Sequence, residues 1–258
     1  MAASKRSELG DFLRSRRERL RPEAMGLPGG KKRRTPGLKR EEVAQLAGIS
    51  IDWYVRLEQG RTVSPSASTL EAVSRALRLD PVEQAHLRQL ARAPSHPAFT
   101  RETVPEPLRR LVERLGQPAY VTGRRWDLLA WNTAATELLT DFGRLPDAER
   151  NILVYVLTHP GARRIFGTTW ADVARRMVAQ FRATHDLWAG DPAFVELLER
   201  LRQKCPEFPR WWDTHDIRGV ASGRKVLLHP DRGTLRFEHA SFQFNDDPAL
   251  KLVIYTPL

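Results

Sequence analysis

The sequence contains little cysteine and no long apolar run. Cys205 is the single cysteine among 258 residues, which excludes an intramolecular disulfide and a cysteine-rich metal site. The longest apolar runs are only a few residues, too short for a transmembrane helix, and the first residues lack the apolar stretch of a secretion signal. These absences predict a cytoplasmic protein that does not act in a membrane.

Acidic residues are outnumbered near the N-terminus, where the positive charge concentrates. The whole chain has 42 Lys and Arg against 31 Asp and Glu, a net charge of +11. Residues 1–40 hold 13 basic and 4 acidic residues, a net charge of +9, centred on the first helix and on the loop GGKKRRTPGLKR. Such a segment suits a polyanion, nucleic acid foremost, because neutralised phosphates release condensed counterions. A solvated basic loop is the alternative.

Hydrophobic periodicity divides the chain into two domains. Residues 1–92 predict five helices and no strand, and the prolines of RAPSHPAFTRETVPEP are typical of a semi-rigid linker over residues 93–107. Residues 108–258 begin and end with strand patterns and have helical patterns between them. They predict an α+β domain with a small antiparallel sheet and helices on one side. The helices predicted there span about 132–142, 147–157, 169–187, 191–203 and 207–214.

Two short helical patterns share a tight turn at Gly48 in GLKREEVAQLAGISIDWYVRLEQG, residues 37–60. Gly48 is a common helix stop and Ser50 a good N-cap for the next helix. Such a pair suits DNA, because the first helix can brace the backbone while the second enters the major groove. An ordinary pair in a helical bundle is the alternative. The residues predicted to face outward from the second helix are Ile51, Asp52, Val55 and Arg56.

LRSRRERL, REEVAQLAGIS and RLEQGR resemble the Cro-repressor/xenobiotic-response-element class of helix-turn-helix proteins over about residues 9–90. The basic loop between the first two helices departs from that class. The resemblance implies an ion pair between Arg17 and Glu58 that ties the first helix to the recognition helix. It also implies phosphate contacts from Arg40, Gln59 and Arg61, and we expect the loop to add Lys31, Lys32, Arg33 and Arg34.

The outward positions of the second helix match the base-reading positions of that class: Ile51, Asp52, Val55 and Arg56. Arg56 has the best chemistry, since a guanidinium can donate two hydrogen bonds to guanine O6 and N7. Asp52 has two open uses, accepting from cytosine N4 or favouring the positive end of the helix. Trp53 either touches the sugar-phosphate backbone and the loop or packs in the core.

The chain as a whole is similar to the MmyB-like transcription regulators. The motifs that carry the similarity are PGLKREEVAQLAGISIDWYVRLEQGR, LAWN, ERN, PEFPRWWDTHDIR and LVIYT. The resemblance implies a PAS-like C-terminal domain that binds a small apolar ligand, fatty-acyl compounds included. Aromatic residues there either line a cavity or fill a core. Those predicted to line the pocket are Trp131, Phe142, Tyr155, Phe166, Trp170, Trp188 and Trp211.

These observations predict a bacterial, nucleoid-associated transcription regulator that binds a double-stranded DNA operator as a homodimer and senses an apolar ligand. No cofactor, metal site or catalytic set is predicted, because the histidines lack a ligand spacing. His215 and Asp216 form either an acid–base pair or hydrogen bonds that fix the chain. Two alternatives remain for the C-terminal domain: a protein-interaction or dimerisation module without a ligand, and an enzyme that acts on the ligand.

Overall fold

The computed structural model describes residues 2–28, 37–61, 65–91, 98–219 and 222–258, and all structural statements concern those ranges. A helical domain precedes an α+β domain, as the sequence predicts. Five α-helices form the described part of the first domain, the predicted number. They are α1 Ala2–Arg19, α2 Arg40–Ala47, α3 Ile51–Glu58, α4 Ala67–Ala76 and α5 Pro81–Ala91.

The tight turn between α2 and α3 depends on two residues. Gly48 has a φ of 65°, in the left-handed region, and its N–H donates to the carbonyl of Ala44. Ser50 caps α3 because its hydroxyl accepts a hydrogen bond from the Trp53 N–H at 3.3 Å. The apolar sides of both short helices therefore meet one core. Its buried members include Leu13, Val43, Ala44, Tyr54, Leu57 and Leu87.

One five-stranded sheet supports the second domain. Its strands are β1 Ala119–Thr122, β2 Leu128–Trp131, β3 Gly223–His229, β4 Gly233–Gln243 and β5 Lys251–Pro257. The strand order is β2-β1-β5-β4-β3, and every neighbouring pair is antiparallel. The last strand thus lies in the middle of the sheet and joins the hairpin that opens the domain to the hairpin near its end.

Seven further α-helices accompany this sheet in the described ranges. They are α6 Glu106–Arg114, α7 Thr133–Leu138, α8 Ile152–Thr158, α9 Pro160–Phe166, α10 Trp170–His185, α11 Pro192–Lys204 and α12 Phe208–Trp212. The helix predicted over 147–157 is two pieces, because the side chain of Asn151 caps α8 by accepting from the N–H groups of Leu153 and Val154. The sequence patterns did not predict α6 or α9.

The sheet carries helices on both faces, so the predicted one-sided arrangement was wrong. Tyr120 on one face of β1 belongs to the large core formed with α7 to α12. Its neighbour Val121 faces the other way and packs with Leu108 and Val112 of α6. Strand alternation alone requires this division, because successive side chains point to opposite faces. α6 escaped prediction because it starts inside the proline-rich segment that reads as a linker.

The two domains are packed against each other. Ile217, in the segment after α12, is buried in the core of the helical domain. None of the helices in the described ranges combines the length and apolar content needed to cross a lipid bilayer. The helical domain and the α+β domain therefore form one packed molecule and share an interface.

A candidate DNA-binding surface and an inner cavity

The predicted base-reading residues lie on one side of α3. Ile51 is 48% exposed, Asp52 and Arg56 are also exposed, and Val55 is half-buried. Nε of Arg56 lies 3.0 Å from Oδ2 of Asp52, one helical turn away. An ion pair between two such exposed side chains contributes at most about 1 kcal/mol. A guanine can therefore compete with Asp52 for the guanidinium at little cost. Trp53 packs against the core of the helical domain, which is one of the two roles considered for it from the sequence.

A buried ion pair fixes α3 against α1. Nε and Nη2 of Arg17 donate to the two carboxylate oxygens of Glu58 at 2.8 and 2.9 Å, and Nη1 donates to the carbonyl of Leu38 at 2.8 Å. The Glu58 side chain is only 1% exposed. Burial alone would raise the pKa of Glu58, but the hydrogen bonds and charge of Arg17, then of Arg40, outweigh it and hold that pKa below its ordinary value.

Glycine makes this contact possible. A Cβ at Gly10 of α1 would lie 2.2 Å from the carbonyl oxygen of Glu58, closer than any side chain tolerates. The absence of a side chain lets α1 approach the end of α3. The close approach at Gly10 and the ion pair of Glu58 together hold α3 against α1, so α3 has a defined orientation.

The predicted phosphate contacts surround this recognition helix. Gln59 and Arg61 are exposed just beyond α3. Arg40 is 39% exposed at the start of α2, and its Nε donates to Oε1 of Glu58 at 2.8 Å. The loop residues Lys31, Lys32, Arg33 and Arg34 lie outside the described residues.

The α+β domain has a small, partly open cavity between the sheet and α10, which we call the inner cavity. Its volume is about 80 Å³. Asp and Glu are absent from the described residues around it, although two lysines lie there. Nζ of Lys225 donates to the Tyr255 hydroxyl at 3.3 Å, and burial lowers the pKa of Lys251. The lining residues are Tyr120, Thr122, Trp126, Ile152, Met177, Gln180, Lys225, His239, Ser241, Lys251 and Val253.

Two larger spaces adjoin the inner cavity. A groove of about 250 Å³ shares Met177, Gln180, Lys225 and His239 with it. A polar cleft between the two domains, about 600 Å³, shares Gln180 and His239. Those two side chains therefore stand where the inner cavity meets both spaces. The cleft is the largest of the three, but the inner cavity has the more apolar wall.

Comparison with protein families assigns both domains. Residues 104–258 match the model of the MmyB-like transcription regulator ligand binding domain, and residues 8–87 match that of a helix-turn-helix domain. The chain belongs to the MmyB-like transcription regulators. No curated protein matches the chain at a significant level. The molecule is thus a transcription regulator that contains a helix-turn-helix DNA-binding domain and a ligand-binding domain.

The sequence motifs of this MmyB-like regulator have structural roles. Asn132 of LAWN caps α7, and its side chain also donates to the carbonyls of Leu115 and Gln117 at 2.9 and 2.8 Å. Asn151 of ERN caps α8 and donates to the carbonyl of Arg125 at 2.7 Å. PEFPRWWDTHDIR forms α12 and the segment that packs against the helical domain. None of these three motifs supplies a residue to the inner cavity.

None of the seven aromatic residues predicted for the pocket of the MmyB-like regulator lines the inner cavity. Phe142 and Tyr155 are almost completely buried in the main core, and Trp170 is 7% exposed there. Trp131 and Trp211 pack against that core. Phe166 lines the adjoining groove and Trp188 a separate surface depression. Composition could not locate the cavity, because a core and a cavity wall both use aromatic side chains. The strand pattern contained the signal, since Tyr120, Thr122, Lys251 and Val253 alternate on β1 and β5.

The pair His215 and Asp216 contributes hydrogen bonds that fix the chain. Nη1 of Arg182 donates to Nδ1 of His215 at 3.1 Å, and burial, then the charge of Arg182, lowers the pKa of His215 to about 4. Asp216 accepts from Arg19 at 2.8 Å and from Arg175 at 3.3 Å. These contacts hold neighbouring elements together. His215 and Asp216 bind arginine side chains and not each other, as an acid–base pair would.

One cluster in the described residues has the composition of a metal site, which the sequence did not predict. Ligand atoms of Glu8, His185 and Asp186 lie within 4.8 Å of one another. The guanidinium of Arg182 lies 3.6 Å from the carboxylates of both Glu8 and Asp186. The positive charge that a cation would bring is therefore already supplied by the protein.

Proposed function

We propose that this regulator binds a specific DNA operator and senses a small ligand that has an apolar body and an anionic head group. The observation that carries the ligand half is the inner cavity, where two lysines face a largely apolar wall without an acidic partner among the lining residues. A fatty acid has this chemistry, in line with the fatty-acyl ligand that the family resemblance implies.

Arg56 is the proposed base reader and α3 the recognition helix. The Arg17–Glu58 pair supports this assignment because it orients α3 while leaving Ile51, Asp52 and Arg56 exposed. Gln59, Arg61, Arg40 and the basic loop are proposed to contact phosphates, which supply affinity on any sequence. We also propose a homodimer, because one recognition helix reads only a few base pairs and a two-fold dimer reads two half-sites.

The anionic head group is proposed to lie at Lys251, the lysine of the cavity wall whose pKa burial lowers. A half-buried ammonium without a counter-ion is unfavourable, and a carboxylate within hydrogen-bond distance would relieve that cost. The inner cavity, at about 80 Å³, is smaller than the roughly 300–1,000 Å³ of ligand pockets in general. An acyl chain therefore needs the side chains at Gln180 and His239 to move, which would join the cavity to the adjoining groove.

The presence of a ligand is tested on the purified full-length protein. An organic extract of the denatured protein, examined by mass spectrometry, should contain an apolar acid in near-stoichiometric amount. If the extract is empty, titration with alkanoates of eight to sixteen carbons decides whether the site accepts this class. An empty extract without alkanoate binding would favour the interaction or dimerisation module instead.

Replacing Lys251 should weaken the binding of hexadecanoate by about tenfold, which is about 1.4 kcal/mol for one charge-assisted contact. Lys251→Met keeps the length of the side chain and removes its charge. Isothermal titration of the full-length protein measures the effect. Hexadecanol, which lacks the carboxylate, should bind the wild type and Lys251→Met equally.

Lys204→Met provides the matched control, because Lys204 lies on α11 and pairs with Glu149 away from the cavity. Its affinity for hexadecanoate should stay at the wild-type value. An equal loss in both lysine variants, or an equal loss for the alcohol, would remove Lys251 as the anchor of the head group.

A further inference from the structure

The contact between the two domains contains a buried set of charged side chains. Nε2 of His86 on α5 donates to Oδ2 of Asp186, just after α10, at 3.0 Å, and both side chains are only 2% exposed. Nη1 of Arg182 lies 3.6 Å from Asp186 and also 3.6 Å from Oε2 of Glu8 on α1. Two helices of the DNA-binding domain thus meet one end of α10. We call Glu8, His86, Arg182 and Asp186 the interdomain cluster.

A second set of contacts holds the same two domains together. Nη2 of Arg16 on α1 donates to the carbonyl of His215 at 2.7 Å, and Arg19 donates to Asp216 at 2.8 Å. Ile217 enters the core of the helical domain. The contact is therefore anchored beside the interdomain cluster by apolar burial, and α1 is held at several points.

His86 and Asp186 are the centre of the cluster. Burial alone would raise the pKa of Asp186, but hydrogen bonds from His185 and His86 and the charge of Arg182 reverse this and keep the carboxylate ionised. Burial, then the charge of Asp186, raises the pKa of Glu8 to about 7. Glu8 therefore accepts a proton more readily than Asp186, and its ion pair with Arg182 is the weaker of the two. If Asp186 lost one of its hydrogen-bond donors, its buried carboxylate would be left partly unsatisfied. The cluster therefore has one favourable geometry, and small displacements of its side chains are costly.

One helix joins the inner cavity to this cluster. Met177 and Gln180 of α10 line the cavity, while Arg182 belongs to the same helix and Asp186 follows directly after it. Six residues separate Gln180 from Asp186, about 9 Å at the rise of an α-helix. The side chain of Gln180 also stands at the opening that an acyl chain must widen. A ligand that displaces α10 by a fraction of an ångström acts directly on Arg182 and Asp186.

We propose that α10 transmits ligand occupancy to the DNA-binding domain through the hydrogen bond between His86 and Asp186. This rests on the proposed ligand-sensing function and adds the route by which the site is read. Bound ligand shifts α10, the cluster leaves its favourable geometry, and the hold of the second domain on α1 and α5 is loosened. A packed interface of this kind converts small shifts into two discrete states.

Two substitutions at one position separate the hydrogen bond from packing. His86→Phe keeps a flat ring against Phe12, which His86 contacts at 5.2 Å between ring centroids, and removes the donor. His86→Gln keeps a side-chain N–H that can reach Asp186. Gln89→Ala, at an exposed position of the same helix, is the control. Thermal melting first establishes that each full-length variant is folded. If His86→Phe does not fold, the comparison is made with His86→Gln.

Without added ligand, amide hydrogen exchange in α1 and α5 should be at least fivefold faster in His86→Phe than in the wild type. His86→Gln and Gln89→Ala should resemble the wild type. This comparison does not depend on the ligand. Unchanged exchange in His86→Phe would overturn the role of the cluster whatever the ligand proves to be.

With hexadecanoate as the probe, the wild type and His86→Phe should bind it with dissociation constants within threefold of each other. Hexadecanoate should change the exchange of α1 and α5 at least fivefold in the wild type and in His86→Gln, and not in His86→Phe. Binding without any change in wild-type exchange, or a change that persists in His86→Phe, would overturn the proposed route. Failure of hexadecanoate to bind the wild type would instead count against the proposed ligand class, and the ligand-free comparison would still decide the cluster.

Discussion

Glu58→Ala should lower the free energy of unfolding of the helical domain by about 3–5 kcal/mol. The substitution leaves the guanidinium of Arg17, whose side chain is 5% exposed, as an uncompensated buried charge. Urea denaturation of the full-length protein, followed by circular dichroism, measures the loss. The pKa of Glu58 lies below its ordinary value, so its stabilisation is present above that ordinary value and is lost as the pH falls through the folded one. The difference between the two proteins should therefore narrow in acid.

Two further variants show whether burial is the cause. Arg40→Ala removes a partner of Glu58 that is 39% exposed, and should cost less than about 1 kcal/mol. Replacing both members of the buried pair, Arg17→Met with Glu58→Leu, should recover much of the loss, because no unpaired charge remains. A loss below about 1 kcal/mol in Glu58→Ala would contradict the account of how α3 is held.

Arg56→Ala should weaken binding to the preferred operator by about 1–3 kcal/mol, roughly 5- to 150-fold, and relax the preference at one base pair. Arg56 is exposed on α3, and its one ion-pair partner among the described residues is the exposed Asp52, so its removal should leave the fold intact. The operator is first selected from random DNA with the wild-type protein. Fluorescence anisotropy then measures affinity for that sequence and for random DNA.

Arg75→Ala is the matched control, since it removes one exposed arginine from α4 of the same domain. Its affinity for the operator should change little, and so should the affinity of Arg56→Ala for random DNA. If Arg56→Ala weakens both DNAs equally, Arg56 contacts a phosphate and a different residue reads the base.

Local patterns predicted the elements that short-range chemistry fixes. Gly48 and Ser50 define the turn of the helix-turn-helix, because a left-handed glycine and a hydroxyl cap act within a few residues. The strands at both ends of the second domain followed from alternation. α6 was missed because its first turn contains Pro107. α9 was missed because Pro160 and Gly161 stand at its start, and such a pair is as typical of a loop as of the first turn of a helix.

Contacts between distant residues were predictable only by resemblance or not at all. Arg17 and Glu58 are 41 residues apart, and the family resemblance supplied the pair that the structure contains. His86 and Asp186 are 100 residues apart on different domains, and no local pattern connects them. The residues that line the inner cavity were not predicted, for a related reason. Aromatic content marks where apolar side chains are buried, whereas the placement of Lys225 and Lys251 around one cavity depends on the register of four strands, β1, β5, β4 and β3.

If one molecule couples an operator to an apolar, anionic ligand, each partner must change the affinity for the other, and reciprocal titration of the full-length protein measures both effects. The dissociation constant for the selected operator is measured with and without saturating hexadecanoate, and that for hexadecanoate with and without saturating operator. Linkage requires the two ratios to be equal, and a typical coupling of about 1–3 kcal/mol predicts roughly 5- to 150-fold in each. Equal operator affinities in both conditions, in a protein that demonstrably binds both partners, would contradict the account.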